Sequence, residues 1–168
     1  MILILHNIRS IHNVGSIFRT ADAAGVSHII LSGYTPSPLD HFGQFRRDFS
    51  KVSLGAEKTV PWKQVKTLNA TFSQLKKENY YIAAIEQDRR STSLFDFHLP
   101  TKQTLAILLG NEVRGISKQL LEKADVILEI PMHGKKESLN VSVAAGIAVF
   151  TLARARRSSL SRKSHYGV

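Results

Sequence analysis

Leu105-Ala106-Ile107-Leu108-Leu109-Gly110-Asn111-Glu112-Val113-Arg114-Gly115-Ile116-Ser117 is the stretch on which the fold turns. Its first five residues are uninterrupted by any polar group, which fits a strand buried on both faces. The strand runs straight into a polar turn, and Ser117 is placed to cap a short helix over 117–123. Gly110 and Gly115–Ser117 repeat the glycine and serine spacing of a phosphate-binding loop. Ile116, however, stands where the phosphate-binding lysine belongs, and Glu112 would repel phosphate. The turn therefore argues against kinase or ATPase chemistry.

Apolar runs short enough for buried strands recur at 2–5, 28–32, 80–85 and 126–130. Helical spacing lies between most of them. Val14, Ile17, Phe18, Ala21 and Ala24 share one helix face, which ends at Gly25, a natural C-terminal stop. A weaker pattern covers 65–77. A last helix, about 141–155, carries Ala144, Ala145, Gly146 and Ala148, side chains small enough to let another backbone approach. Strands alternating with helices predict an α/β fold, a single domain with a parallel sheet and helices on both faces. Residues 33–62 and 86–104 read as loops, rich in proline, glycine and charge. The domain is expected to span 1–155, followed by a basic tail over 156–168; from Arg154 onward the sequence has five basic residues and no acidic one.

At 168 residues the chain buries roughly 70% of its unfolded surface without a staple. It has no cysteine, which removes thiol nucleophiles and thiolate-bound zinc and fits a reducing compartment. The excess of 23 Lys+Arg over 13 Asp+Glu gives a formal charge of +10, which favours a polyanionic partner. The apolar opening Ile2–Leu5 lacks the basic flank and length of a signal peptide. Val143–Ala153 is too short to span a bilayer and reads as a buried helix. A cytoplasmic protein with no membrane partner is expected.

No two glycines stand one residue apart, so the dinucleotide fingerprint and the glycine-rich turn of common Rossmann-like methyltransferases are absent. No zinc-enzyme histidine spacing and no calcium loop occurs, and no metal is expected. Three blocks remain. The first is Asn7-Ile8-Arg9-Ser10-Ile11-His12-Asn13-Val14-Gly15-Ser16-Ile17-Phe18-Arg19-Thr20-Ala21-Asp22-Ala23-Ala24-Gly25-Val26, which sets Asn13 ahead of the first helix. The second is Leu108–Gly115. The third is Ile130-Pro131-Met132-His133-Gly134, continued by Glu137-Ser138-Leu139-Asn140-Val141-Ser142-Val143-Ala144-Ala145-Gly146.

In this order and spacing the blocks closely resemble the SpoU (TrmH-like) family of SPOUT RNA methyltransferases, over roughly residues 7–155. The resemblance implies a deep C-terminal trefoil knot, an exception to the usual rules of chain connection. It also implies a homodimer, S-adenosyl-L-methionine as cofactor, and transfer of its methyl group to a ribose 2′-hydroxyl of RNA. The implied cofactor residues are Ala84, Ile85, Gly110, Asn111, Glu112, Ile130, Met132, Ser138 and Leu139. Strand-end backbone groups would read the adenine edge while Ile130 and Leu139 sandwich its faces; read as residues alone, these two are equally ordinary core and Gly110 an ordinary turn.

The implied catalytic residues are Arg19, Asn13, Glu112, Ser138 and Asn140. Arg19 either helps remove the hydroxyl proton or orients phosphate and ribose; a guanidinium is a very poor base, which favours orientation. The plain alternative is an i,i+3 pair with Asp22. Asn13 and Asn140 also suit helix caps, and Glu112 either holds Arg19 or its own loop, or is a solvated turn carboxylate. Arg9 either binds phosphate or is surface. Arg46, Arg47, Lys51, Lys58, Arg89, Arg90, Lys135 and Lys136 fall in expected loops and are candidates for RNA contact. A tRNA is favoured over ribosomal RNA as partner. The rival readings are a catalytically inactive knotted RNA-binding protein and a base-methylating knot enzyme.

Overall fold

The computed structural model describes residues 1–99 and 103–161, with side chains described through Arg154. Among the described residues there are seven strands: β1 (Ile2–His6), β2 (His28–Ser32), β3 (Trp62–Val65), β4 (Tyr80–Ile85), β5 (Thr92–Ser93), β6 (Thr104–Leu109) and β7 (Val126–Glu129). The helices are α1 (Ile11–Ala24), α2 (Arg47–Ser53), α3 (Ala56–Thr59), α4 (Asn69–Lys77), α5 (Lys118–Leu121) and α6 (Val141–Ser161). All paired strands are parallel, in the order β3-β2-β1-β6-β4-β7-β5.

The pleat divides the apolar runs between two cores. Along β1, Leu3 and Leu5 enter one cluster and Ile2 and Ile4 the other; along β6, Leu105, Ile107 and Leu109 oppose Ala106 and Leu108. The first core is closed by α1, α2 and α6 through Val14, Ile17, Phe18, Phe49, Ala145, Ala148 and Val149. The second is closed by α4 and α5 through Phe72, Leu75, Leu120 and Leu121. This is the expected α/β architecture, with helices on both faces of the sheet.

The stop at Gly25 has its expected form: φ is 70°, a left-handed value that glycine takes without a Cβ clash, and its N–H bonds back to Ala21 and Asp22. The small residues of α6 seat it on α1, where a Cβ on Gly146 would still lie 3.8 Å from Thr20 Cγ2.

Several boundaries differ from expectation. The stretch 33–62, read as loop, holds α2 and α3, because Phe49, Ala56 and Val60 supply too few apolar positions for a helical period but enough to dock. Phe49 packs edge-on against Phe18, with centroids 5.2 Å apart. The stretch 86–104 holds β5, whose two residues carry no periodicity. The pattern over 65–77 is split, with Val65 closing the edge strand β3 and the helix starting at Asn69. Ser117 occupies the N-cap position of α5, but its side chain makes no capping bond; its carbonyl receives the amides of Leu120 and Leu121 instead. The backbone of α6 continues past residue 155 to Ser161, and the remainder of the expected tail, 162–168, lies outside the described residues.

Candidate active site

Beyond the carboxyl ends of β4, β6 and β7 lies a cleft of about 260 Å³. Open parallel sheets gather ligands at this edge, because strand-end backbone groups are free there. β4 contributes Ile85, Glu86 and Gln87; β6 contributes Leu109 and the turn Gly110–Val113 with Gly115; β7 contributes Glu129, Ile130 and Met132. Ser138, Leu139, Val141 and Ala144 close it from the start of α6. Eight of the nine expected cofactor residues therefore line one space. Ala84 does not: the pleat turns it into the second core, fully buried, and presents Ile85 to the cleft instead.

The cleft's chemistry is unlike the rest of the surface. In a chain of formal charge +10, the described lining holds Glu86, Glu112 and Glu129 and no lysine, arginine or histidine. Such a space disfavours phosphate and suits a ligand that is flat, apolar and cationic.

Two residues that the sequence reading did not single out tie the three loops of the cleft together. The Glu86 carboxylate accepts the Ile116 N–H at 2.8 Å and the Gln87 N–H at 3.0 Å. Gln87 Nε2 donates to the Glu137 carbonyl at 2.7 Å. Packing around the turn is tight. A Cβ on Gly110 would stand 2.5 Å from Ile116 Cγ1 and 2.8 Å from the Gly115 carbonyl carbon. The signal available in the sequence was the pair Glu-Gln directly after the buried run 80–85.

Beside the cleft the three blocks meet in one hydrogen-bonded network. Ser10, not Asn13, caps α1: its side chain accepts the Asn13 N–H at 3.3 Å. Asn13 thus lies inside the first turn rather than ahead of the helix. Its Nδ2 donates to Glu112 Oε1 at 3.1 Å, and its Oδ1 accepts Asn140 Nδ2 at 3.2 Å. Glu112 also takes the amides of Arg9, at 3.1 Å, and Ser10, at 3.3 Å. Burial alone would raise the Glu112 carboxyl, but the bonds from Arg9, its own amide, Asn13 and Ser10 outweigh it and hold the group below the usual glutamate range. Asn140 is also a working cap, its Oδ1 accepting the Ser142 N–H at 2.8 Å.

Asn111, nearly buried, braces the turn from beneath. Its Oδ1 accepts the amides of Val113 and Arg114 at 3.0 and 2.7 Å, and its Nδ2 reaches the Asn7 carbonyl and the Tyr34 hydroxyl, each at 3.0 Å. At the end of β1, Asn7 Nδ2 donates to His6 Nε2 at 3.0 Å, so the ring proton sits on Nδ1 and meets Ser32 Oγ at 2.8 Å. Burial lowers the His6 pKa, in keeping with that neutral tautomer.

Arg19 is brought to none of these groups. It is exposed on α1, does not line the cleft, and makes no hydrogen bond or ion pair among the described residues. Glu112 does not hold it, and Asp22 does not pair with it, since Asp22 Oδ1 accepts Thr59 Oγ1 at 2.6 Å. Of the basic residues expected in loops, Arg46 pairs with Asp48 at 3.3 Å and Arg90 with Asp88 at 2.8 Å. Arg47, Lys51, Lys58, Arg89, Lys135 and Lys136 are exposed, as is Arg9.

The sequence profile of the SpoU rRNA Methylase family matches residues 1–150. The chain belongs to this family. Among SpoU relatives, the 23S rRNA (guanosine-2′-O-)-methyltransferase RlmB of Salmonella typhi is 36% identical over 155 residues, which are 92% of this chain and 60% of that protein. The crystal structure of an AdoMet-bound rRNA methyltransferase from Sinorhizobium meliloti superposes with a TM-score of 0.80 at 29% identity, covering 94% of this chain and 56% of that one. The A. aeolicus TrmH/SpoU tRNA modifying enzyme superposes with a TM-score of 0.79 at 26% identity, covering 94% and 76%. The chain spans about 60% of the length of the curated SpoU relatives it matches.

Proposed function

We propose that the chain is an S-adenosylmethionine-dependent RNA methyltransferase acting on a ribose 2′-hydroxyl. The observation that carries the reading is the cation-free, glutamate-bearing cleft inside a strongly basic protein. Its lining fits the cofactor: Ile85, Ile130 and Leu139 offer apolar faces to an adenine, and carboxylates suit a ligand with a sulfonium and an ammonium group. Its SpoU relatives support the same group, since one of them is an AdoMet-bound rRNA methyltransferase.

When bound, the cofactor would supply an electrophilic methyl carbon to the ribose oxygen, with the broken bond to sulfur and the lost hydroxyl proton completing the balance, and Ile85, Ile130 and Leu139 would hold its adenine. This chain's residues then have to hold and align. Glu86, Gln87 and Asn111 fix the cleft's loops. Asn13, Glu112 and Asn140, with Ser138, form the polar margin against which an acceptor ribose is set.

Arg19 is assigned the orienting role, contacting phosphate and ribose and stabilising the developing alkoxide, with the proton passing to phosphate or water. Because Arg19 does not line its own chain's cleft, the reading includes a homodimer in which a second copy supplies it. Val143, Ile147 and Phe150 support this: they share one face of α6, and Val143 and Phe150 are 50% and 53% exposed. A stripe of that kind is favoured to meet another apolar surface. The family's trefoil knot is assigned to the same C-terminal part, where β4 sits between β6 and β7.

The acceptor is assigned as tRNA, although SpoU relatives carry names for both tRNA and rRNA enzymes. A cytoplasmic location fits a cysteine-free chain in which no helix among the described residues is long and apolar enough to cross a membrane. Incubation with labelled cofactor and separate tRNA and rRNA pools tests the whole reading. Label is expected in tRNA at one position that resists alkaline hydrolysis, since only ribose methylation blocks cleavage there. Label at an alkali-sensitive position would show base methylation, and no label in either pool would show a silent binding protein.

A further inference from the structure

We infer that the turn carrying His41 and Phe42 is a stacking platform for an unpaired base of the RNA, a contact that rests on the proposed RNA substrate and makes it more specific. Phe42 is 75% exposed, an unusual position for a phenylalanine, yet it is not on a slack loop. Asp40 Oδ1 accepts the amides of Phe42 and Gln44, both at 2.9 Å, and Leu39 bridges to Phe45 across the turn. The rings of His41 and Phe42 lie 3.8 Å apart between centroids, tilted by 41°. The side chain is therefore held out on an ordered turn, which reduces the entropy lost when something stacks on it.

The occupant follows from the charge around it. Lys58 stands 5.5 Å over the Phe45 ring, and the exposed Arg47 follows closely in sequence, while Arg46 between them is paired with Asp48. An aromatic face amid cations suits a nucleobase flanked by its phosphates, and it suits single strands rather than duplex, whose bases are already stacked. The segment is also rooted at the candidate site. It starts from Tyr34, whose hydroxyl accepts Asn111 Nδ2, and it ends in α2, which packs on the helix bearing Asn13 and Arg19. An RNA gripped at the turn is thus held by the elements that form the acceptor margin.

The test uses the full chain, an RNA hairpin with an unpaired loop, and a blunt duplex RNA of equal length. Phe42→Ala is expected to weaken hairpin binding about tenfold, the order of one lost base–aromatic stack, and to leave duplex binding and the heat of S-adenosylhomocysteine binding unchanged. Phe42→Trp is expected to restore hairpin affinity, with its added fluorescence quenched by hairpin and not by duplex. Equal hairpin affinity for Phe42→Ala and the parent would overturn the inference while leaving the RNA methyltransferase reading intact. So would equal losses for hairpin and duplex, or a change in self-association on sedimentation, which would mark the turn as a protein contact. A parent chain that binds neither RNA would overturn the inference together with the reading beneath it.

Discussion

Asn13 and Glu112, 99 residues apart in sequence, are joined at 3.1 Å, and the same Asn13 side chain receives Asn140 at 3.2 Å. One amide thereby joins the first helix to the turn after β6 and to the start of α6. The three sequence blocks that identify the family are, in space, one polar margin beside the cleft.

Removing that link has a defined outcome. Asn13→Ala deletes two hydrogen bonds and is expected to destabilise the fold by about 1–2 kcal/mol and to lower methyl transfer. Asn13→Asp sets a second carboxylate against Glu112 and is expected to be worse on both counts. Thermal melts and turnover on RNA measure the two effects, and an aspartate variant equal to or better than the alanine variant would contradict the network.

Glu86 offers a sharper separation of binding from chemistry. Glu86→Ala leaves the Ile116 amide without its acceptor and frees the turn that lines the cleft. The expected result is a rise of about tenfold in the KM for the cofactor, the scale of an unsatisfied buried donor, with a smaller change in kcat. An unchanged KM would show that the Glu86–Ile116 bond does not shape the cleft.

Stability is expected to fall with pH in a way His6 explains. Its folded pKa lies below the ordinary 6.5, lowered by burial, so the unfolded chain takes up the proton first. The contribution is fully present above about 6.5 and is lost as pH falls through the lower folded value. His28 acts in the same direction, through burial first and Lys63 second. Glu112 repeats the sign in the more acid range, because its folded pKa is also held down. Melting temperatures from pH 8 to pH 5 should decline, and His6→Asn should reduce that slope; a slope the variant does not alter would assign the effect elsewhere.

Arg19→Ala is expected to abolish turnover while leaving cofactor binding at its parental strength, because Arg19 does not line the cleft. Mixing it with a cleft-deficient Gly110→Ala chain tests the dimer. If Arg19 acts across the interface, mixed dimers pair one intact cleft with one intact arginine and recover part of the activity. No recovery in demonstrated mixed dimers would place Arg19 in its own chain's site.

The sheet was legible because buried parallel strands are short apolar runs, and Ile2–Leu5, Tyr80–Ile85 and Leu105–Leu109 carry nothing else. β3 and β5 were not, since edge strands of four and two residues leave no pattern to count. Gly25 announced the end of α1 through its backbone, whereas its start was read at Asn13 and the cap proved to be Ser10, three residues earlier. The cleft residues followed from the family blocks; Ala84 alone falls outside the cleft lining, at a strand end whose register no block fixes. Glu86 and Gln87 escaped notice because their partners, Ile116 and Glu137, are backbone groups 30 and 50 residues away. Position along the chain does not encode such pairings.

The central claim is that the loops after β4, β6 and β7 close around adenosylmethionine. Titration calorimetry with S-adenosylhomocysteine tests it most directly, comparing the parent with Gly110→Ala, whose added methyl group would stand 2.5 Å from Ile116 Cγ1. The account predicts saturable heat for the parent and at least a tenfold weaker association, of the order of 1.4 kcal/mol, for the variant with its melt still cooperative. A parent chain that gives no heat, or a variant that binds as well as the parent, would contradict it.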